Sequence, residues 1–246
     1  MPLRRNCDFG QVGDLTGSIQ NERMVLDVST AKERMLAALR PADLAAQPAR
    51  WQQQKSVRTR MKLVEAAIDC LVEGGYQRLT TQAVAERTGC SRGAMHHHFP
   101  ARMDLVAAVI DHIFYARMRL YLGDYLKDLE GRPPDEVVAL ATAAHWRSVQ
   151  TREYAAYLEL AVAARTDAEL DQMFAPAARR YDDVWISEMT GAFPFWGEKW
   201  AMMVQANDFV IAAHMGMLIQ RSVLNEERTA QLSRLIERFA ALIYRS

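Results

Sequence analysis

Apolar positions recur along most of the chain at three- and four-residue spacing, the period of a helix with one buried face. Val57, Met61, Val64, Ile68, Leu71 and Val72 form such a face, and Gly74-Gly75 then stops it, so the pattern predicts a helix over 57–73. Thr80 and Thr81 are good N-caps for a short helix that ends at Thr88, before Gly89. Ser91 caps another that ends near His98, with Cys90 and Met95 placed as a hydrophobic staple across its first turn. From Arg102 a long helix carries Leu105, Val106, Val109, Ile110, Ile113, Phe114, Tyr121 and Tyr125 on one side. The stretch 131–134, Gly-Arg-Pro-Pro, is the clearest break. Beyond it the spacing predicts helices over 135–150, 152–166 and 167–190, a loop at 192–197, and two last helices over 198–223 and 226–245. With no alternating strand pattern and no internal repeat, the expected fold class is all-α.

The first 49 residues read differently. Residues 1–28 hold Gly10, Gly13 and Gly17 among polar side chains, the composition of a mobile arm. Thr30-Ala31-Lys32-Glu33 is a capping box followed by Met35, Leu36 and Leu39, which predicts a short helix over 31–46. The segment 1–49 reads as a partly disordered extension without a function of its own, and Met24, Met35 and Met61 offer later starts.

Composition narrows the class. The chain has 246 residues, 50% hydrophobic and 24% charged, which excludes wholesale disorder. Cys7, Cys70 and Cys90 are odd in number with no CxxC spacing, against a disulfide framework or a zinc ribbon. Arg4-Arg5 is not followed by the apolar stretch of a secretory signal. The longest apolar run, Phe209 to Ile219, is about half a membrane span and contains His214. A cytoplasmic protein with no membrane partner is expected. The formal charge of +0 hides an asymmetry: Arg50 to Arg102 holds nine basic residues against four acidic, while 103–246 carries 15 basic and 20 acidic. A basic segment on an acidic body is the footprint of a nucleic-acid partner.

The basic segment contains the informative stretch, Thr80 to Leu105, TTQAVAERTGCSRGAMHHHFPARMDL. It reads as helix, tight Gly turn, short helix. The second helix opens Ser91-Arg92-Gly93-Ala94, small residues that let its N-terminus approach a surface closely. The unsatisfied N–H groups there favour phosphate, and Arg92 can reach a guanine edge or a phosphate. This is the plan of a helix-turn-helix, whose second helix enters the major groove.

The segment Arg58 to Ile110 resembles the DNA-binding domain of the tetracycline-repressor (TetR-type) family of bacterial regulators. The resemblance rests on RTRMKLVEAAIDCLVEGGY, the Thr-Thr start of the next helix, Ala-Glu-Arg-x-Gly, Ser-Arg-Gly-Ala and His-His-Phe-Pro. It implies an N-terminal three-helix helix-turn-helix DNA-binding domain over 50–112 and a larger C-terminal helical ligand-binding and dimerisation domain over 113–246. It implies phosphate contacts at Thr80 and Thr81. Ser91, Arg92, Gly93 and Ala94 are then expected at the groove, with Arg92 reading a base and Met95 facing the core. His96 stands where the family commonly has Tyr and is expected to reach phosphate or a base edge; His97 matches the usual His. Arg102 replaces a frequent Lys and is expected to hold phosphate. Ala101 replaces a frequent Ser, losing a cap worth about 0.5–2 kcal/mol. Arg50, Lys55, Arg58, Arg60 and Lys62 read equally as an arm along the phosphates, with Arg58 the contact, or as a solvated helix face.

Other bright residues have plainer readings. Three consecutive helical residues point about 100° apart, so His96-His97-His98 cannot share one face and no metal is expected. Cys90 fits a small apolar plug better than a redox switch. In the C-terminal half, His145, Trp146, Tyr154, Tyr157, Met173, Phe174, Tyr181, Trp185 and Met189 are candidates to line a pocket for a small apolar or aromatic effector, or else are plain core. Residues 202–219 are apolar nearly all round, which calls for burial on two sides and hence a second subunit. Phe209, Val210, Ala213, Met217, Leu235, Phe239 and Leu242 are the expected dimer contacts. The expected function is a homodimeric, ligand-released transcriptional repressor on a palindromic double-stranded DNA operator, with no cofactor. The alternatives are a regulator gated by a protein partner, an activator, or an all-helical enzyme. For an enzyme the sequence offers no spaced nucleophile and base, metal motif or phosphate loop.

Overall fold

The computed structural model describes residues 27–45, 51–130, 132 and 136–245. Residues 1–26 of the arm, Arg50 and, apart from Arg132, the break at 131–134 lie outside them. The helices are α1 (27–38), α2 (Ala42–Ala45), α3 (Trp51–Gly74), α4 (Thr81–Thr88), α5 (Arg92–His98), α6 (Arg102–Leu129), α7 (Val137–Ser148), α8 (Arg152–Ala164), α9 (Ala168–Ala192), α10 (Trp200–Ile219) and α11 (Glu226–Arg245). Among the described residues there is no strand.

Two hydrophobic clusters organise these helices. The first joins Leu63, Val64, Ile68 and Leu71 of α3 to Val84 of α4, Met95 of α5, Phe99 and the Leu105–Phe114 half of α6. Ala156 and Leu160 of α8 and Leu170 and Phe174 of α9 close it. The second collects Met118, Tyr121, Leu122, Tyr125 and Leu129 from the other half of α6 with Met189 of α9, Met203, Val210 and Met217 of α10, and Ile236 and Ala240 of α11. Each fully buried Leu or Phe in these clusters contributes about 1.5–3 kcal/mol of transfer free energy. The expected domain boundary at 112 therefore falls inside α6, which is continuous through both clusters.

Three elements depart from the expected bounds. Helix α3 starts at Trp51, ahead of residue 57. Its first turns are Gln and Lys, which favour helix by propensity but carry no apolar mark. Helix α1 starts at 27, so Thr30 lies inside it and does not cap it. Val28, Ala31 and Met35 are fully buried and Leu39 nearly so, all in the second cluster, so this part of the extension belongs to the core. Helix α10 ends at Ile219, short of 223. Within Gly197–Ile219 an 18-residue window has a mean hydropathy of 1.3, long and apolar enough to cross a membrane by length and composition, contrary to the run-length argument. Its inner residues Met203, Ala206, Val210, His214 and Met217 pack into the core.

Helix α6 begins at Ala101, which has no side-chain oxygen to cap it. Half of a capping box survives, because the Asp104 carboxylate accepts the Ala101 N–H at 2.9 Å. Ala101→Ser supplies the missing half and is expected to raise unfolding free energy by about 0.5–2 kcal/mol, read from the urea midpoint. An unchanged midpoint would show that Asp104 alone meets the need.

Candidate functional site

Local chemistry fixes the helix-turn-helix. The Thr80 hydroxyl accepts the Ala83 N–H at 3.1 Å and the Ser91 hydroxyl accepts the Ala94 N–H at 3.2 Å, each capping its helix. Between α4 and α5 the chain reverses at Gly89, whose φ of 68° and ψ of 20° are left-handed and suit glycine. Cys90 packs against the first cluster, and Met95 and Phe99 are buried in it, so the staple anchors α5 by its inner face. The outer face exposes Ser91, Arg92, Gly93, His96 and His97, with Ala94 half-buried. A Cβ placed on Gly93 meets nothing within 4 Å. Its smallness therefore matters only to what approaches from outside. Among the described residues, Arg92 and Arg58 are exposed with no side-chain hydrogen bond or ion pair.

Other cations of the basic segment are engaged inside the fold. Arg102, expected to hold phosphate, is engaged within the fold. Its Nε donates to the Leu79 carbonyl at 2.7 Å and one Nη to the Tyr76 carbonyl at 2.8 Å, while its guanidinium lies 4.2 Å from the Tyr76 ring centroid. These carbonyls lie in and just after the 3-10 turn Tyr76–Arg78 that follows α3, where the Tyr76 carbonyl also accepts the Leu79 N–H at 3.2 Å, and Arg102 braces α6 against this entry to α4. Arg87 grips Glu73 through two bonds of 2.6 and 2.7 Å. Lys62 donates to the Thr88 carbonyl at 3.2 Å. Lys55, Arg58, Arg60 and Lys62 ride on α3 and are held in a helix; Lys55, Arg58 and Lys62 are exposed, and Arg60 is half-buried.

The N-terminal segment reaches this reader. Arg60 pairs with Asp43 of α2 at 2.6 Å, donates to the His98 carbonyl at 2.8 Å, and lies 4.1 Å over the Phe99 ring. A cation at the C-terminal carbonyls of α5 is favourable to the helix dipole. At the other end of the segment, Arg34 pairs with Glu188 of α9 at 2.5 Å and Arg180 donates to the Ala38 carbonyl. Residues 27–45 thus connect the body to the back of the recognition helix.

The second cluster leaves a cavity of about 120 Å³ between α6, α7, α9, α10 and α11. Of the nine expected lining residues, His145, Tyr181, Trp185 and Met189 line it. Trp146, Tyr154, Tyr157, Met173 and Phe174 do not; Tyr154 is 1% exposed, and Phe174 is buried in the first cluster with Tyr157 and Met173 packed against it. Periodicity places such residues inside but does not say which interior faces a void. Arg117, Tyr121, Tyr125 and Trp200 also line the cavity and were missed. Tyr121 and Tyr125 stood on the buried stripe of α6 and read as packing.

At the cavity wall the two Nδ1 atoms of His145 and His214 lie 2.9 Å apart, with the rings stacked at 13°. One Nδ1 must carry a hydrogen and the other must accept it. Burial pushes His145 down to about 3, helped by His214 and Arg117, and burial pushes His214 down to about 4. Both rings are neutral near pH 7.

On α10 and α11, Phe209, Leu235, Phe239 and Leu242 are exposed, with Phe209 and Phe239 rings 5.0 Å apart. Val210 and Met217 are a correction: they are 6% and 5% exposed and face this protomer's own core, with Ala213 packed beside them. A helix apolar all round gives no sequence signal for which face turns inward.

Residues 63–109 match the family model described as bacterial regulatory proteins, tetR family. The chain is 30% identical over 195 residues, 76% of its length and 97% of the relative's, to an uncharacterized HTH-type transcriptional regulator of Mycobacterium tuberculosis. It is 40% identical over 55 residues, 22% of its length and 29% of the relative's, to an HTH-type transcriptional repressor of Corynebacterium efficiens. The fold resembles a transcriptional regulator from Rhodococcus with a TM-score of 0.56 at 18% identity, over 76% of this chain and 96% of that one.

The histidine pair carries a pH dependence. Unfolded histidines titrate near 6.5, whereas His145 and His214 resist protonation until about 3 and 4. Between these values the unfolded state binds more protons, so stability is fully present above pH 6.5 and falls as pH drops toward 4. The Tm is expected to fall over this interval, and to fall less steeply in His214→Asn. A Tm independent of pH from 6.5 to 4 would contradict the buried neutral pair.

Proposed function

The chain belongs to the tetR family of bacterial regulatory proteins and is a DNA-binding transcriptional regulator; from that premise we propose that it works as a homodimeric repressor released from a palindromic operator by a small effector. The observation that carries the DNA side is α5 itself. It is locked inward by Met95 and Phe99 and presents an unpaired Arg92 with Gly93, His96 and His97 outward. In this reading Arg92 reads a base edge, Ser91 and Ala94 bring the helix N-terminus to the groove, and the Thr80 and Thr81 hydroxyls and Arg58 hold phosphate. The DNA-reading unit is α3 to α5 with the first turns of α6; the effector and dimer unit is the remainder of the helical body.

Exposed Phe209, Leu235, Phe239 and Leu242 support a two-fold pairing of α10 and α11 with the same helices of a second subunit. Two α5 helices then enter successive major grooves about 34 Å apart. The cavity borders the half of α6 that follows the DNA-reading half, and Arg102 ties the start of α6 to the helix-turn-helix. An effector that fits the cavity better in one shape than in the other changes that spacing, and only this differential affinity drives release. The cavity favours this reading over a regulator without an effector. The repressor sign draws on the likeness to the Corynebacterium repressor.

Selection of random duplex DNA on the purified protein is expected to return a palindrome, with Arg92→Ala weakening its binding by about 1–3 kcal/mol, roughly 5- to 150-fold. Operator affinity unchanged by that substitution would remove Arg92 from the interface. Phe239→Glu is expected to shift the protein from dimer to monomer in sedimentation and to lower operator affinity with it. A dimer that survives at micromolar concentration would place the interface elsewhere.

A further inference from the structure

The cavity is lined by a cation that no carboxylate among the described residues pairs with. Arg117 lines it from α6, at the point where that helix passes from the first hydrophobic cluster to the second. Its guanidinium carbon lies 3.7 Å from the ring centroid of Tyr157, 4.5 Å from Tyr154, 5.1 Å from Tyr181 and 5.7 Å from Phe114. Aromatic faces of this kind stabilise a guanidinium by its flat sides but offer nothing to the N–H groups in its plane. The Arg117 Nε is buried without a hydrogen-bond partner, and the Tyr154 hydroxyl lies beside the guanidinium. Among the described residues no carboxylate lies within 4.0 Å of Arg117. The acid on the cavity lining, Asp182, is exposed at the rim, and desolvation together with Asp208 holds its carboxyl above the usual range.

A guanidinium that reaches the cavity with no carboxylate beside it is costly unless a further group meets it. Most of the remaining lining is apolar or aromatic, with Tyr121, Trp185 and Trp200 on it, beside the polar Thr142, His145, Ser148, Asp182 and Asn207. Its volume of about 120 Å³ is close to the roughly 150 Å³ that accepts a benzene ring in an engineered apolar cavity. We propose that the effector of the preceding reading is an aromatic acid. Its ring fills this cavity, and its carboxylate pairs with the Arg117 guanidinium where that side chain reaches the lining. The proposal rests on the existence of an effector and adds its chemical class. Charge-assisted pairing of a carboxylate with Arg supplies both orientation and selectivity against neutral ligands of the same shape.

The test uses the full-length protein and two probes with the same ring, benzoate and the neutral benzyl alcohol. Trp185 and Trp200 on the lining make tryptophan fluorescence a direct readout, with the Tm as a second. Benzoate is expected to give a saturable response at least about tenfold tighter than benzyl alcohol. Arg117→Met is expected to abolish that preference while benzyl alcohol binding is retained. Arg117→Lys, which keeps the charge but not the planar fork, should retain part of it. If Arg117→Met fails to fold, as judged by circular dichroism, the two-probe contrast in the unsubstituted protein decides alone. Equal affinities, a benzoate preference that survives in Arg117→Met, or no saturable benzoate response overturns the proposal. Release of the operator by a neutral compound with no benzoate binding rejects the acid and leaves the effector reading standing. Failure of a broad small-molecule screen to release the operator instead rejects the effector reading itself.

Discussion

Helix α6 must satisfy two cores with one straight rod. Its 28 residues span about 42 Å, and its buried side chains divide cleanly, Leu105 to Phe114 in one cluster and Met118 to Leu129 in the other. Close-packed interiors do not deform continuously, so a shift of one half has to be met by the other half or by a change in packing between them. Everything that gives the molecule a DNA-reading end and a cavity-bearing end is arranged around this shared element. Arg102 pins its start to the carbonyls of Tyr76 and Leu79, and Arg117 stands at the changeover between clusters.

The same arrangement explains why cations matter here in unequal ways. Arg87 and Arg102 carry formal charge of the kind that suggests nucleic acid, yet their donors are spent on Glu73 and on backbone oxygens. Arg92 differs only in lacking any such partner. The basic balance of the segment is therefore a poor guide to which side chains face DNA, and the hydrogen-bond inventory is a better one.

The reader was legible because its determinants are local. Thr80, Gly89, Ser91 and Met95 announce caps, a turn and a staple within 16 residues of each other, and the structure places all four in those roles. The engagement of Arg102 was not legible because its acceptors lie 23 and 26 residues upstream and are carbonyls, which leave no mark on the sequence. Val210 and Met217 were misplaced because α10 is apolar on every side, so its period carries no phase. Most of the cavity lining was missed for a related reason: a Tyr at a buried helical position looks the same whether it meets another side chain or empty space. The capping box at Thr30 misled because Val28, ahead of it, is itself fully buried, and tertiary burial extends the helix past a local start signal.

The segment 27–45 bears on modularity. It buries Val28, Ala31 and Met35 against the body and, through Asp43 and Arg60, supports the carbonyl end of α5. The unit that presents the recognition helix consequently begins well before the stretch that matches the family pattern. Anyone transplanting this reader onto a different effector body, or splicing a different reader onto this one, would cut through a buttress that no alignment of the helix-turn-helix reveals. A chimera joined ahead of α3 leaves an apolar trough on the donor body and an unsupported recognition helix on the recipient.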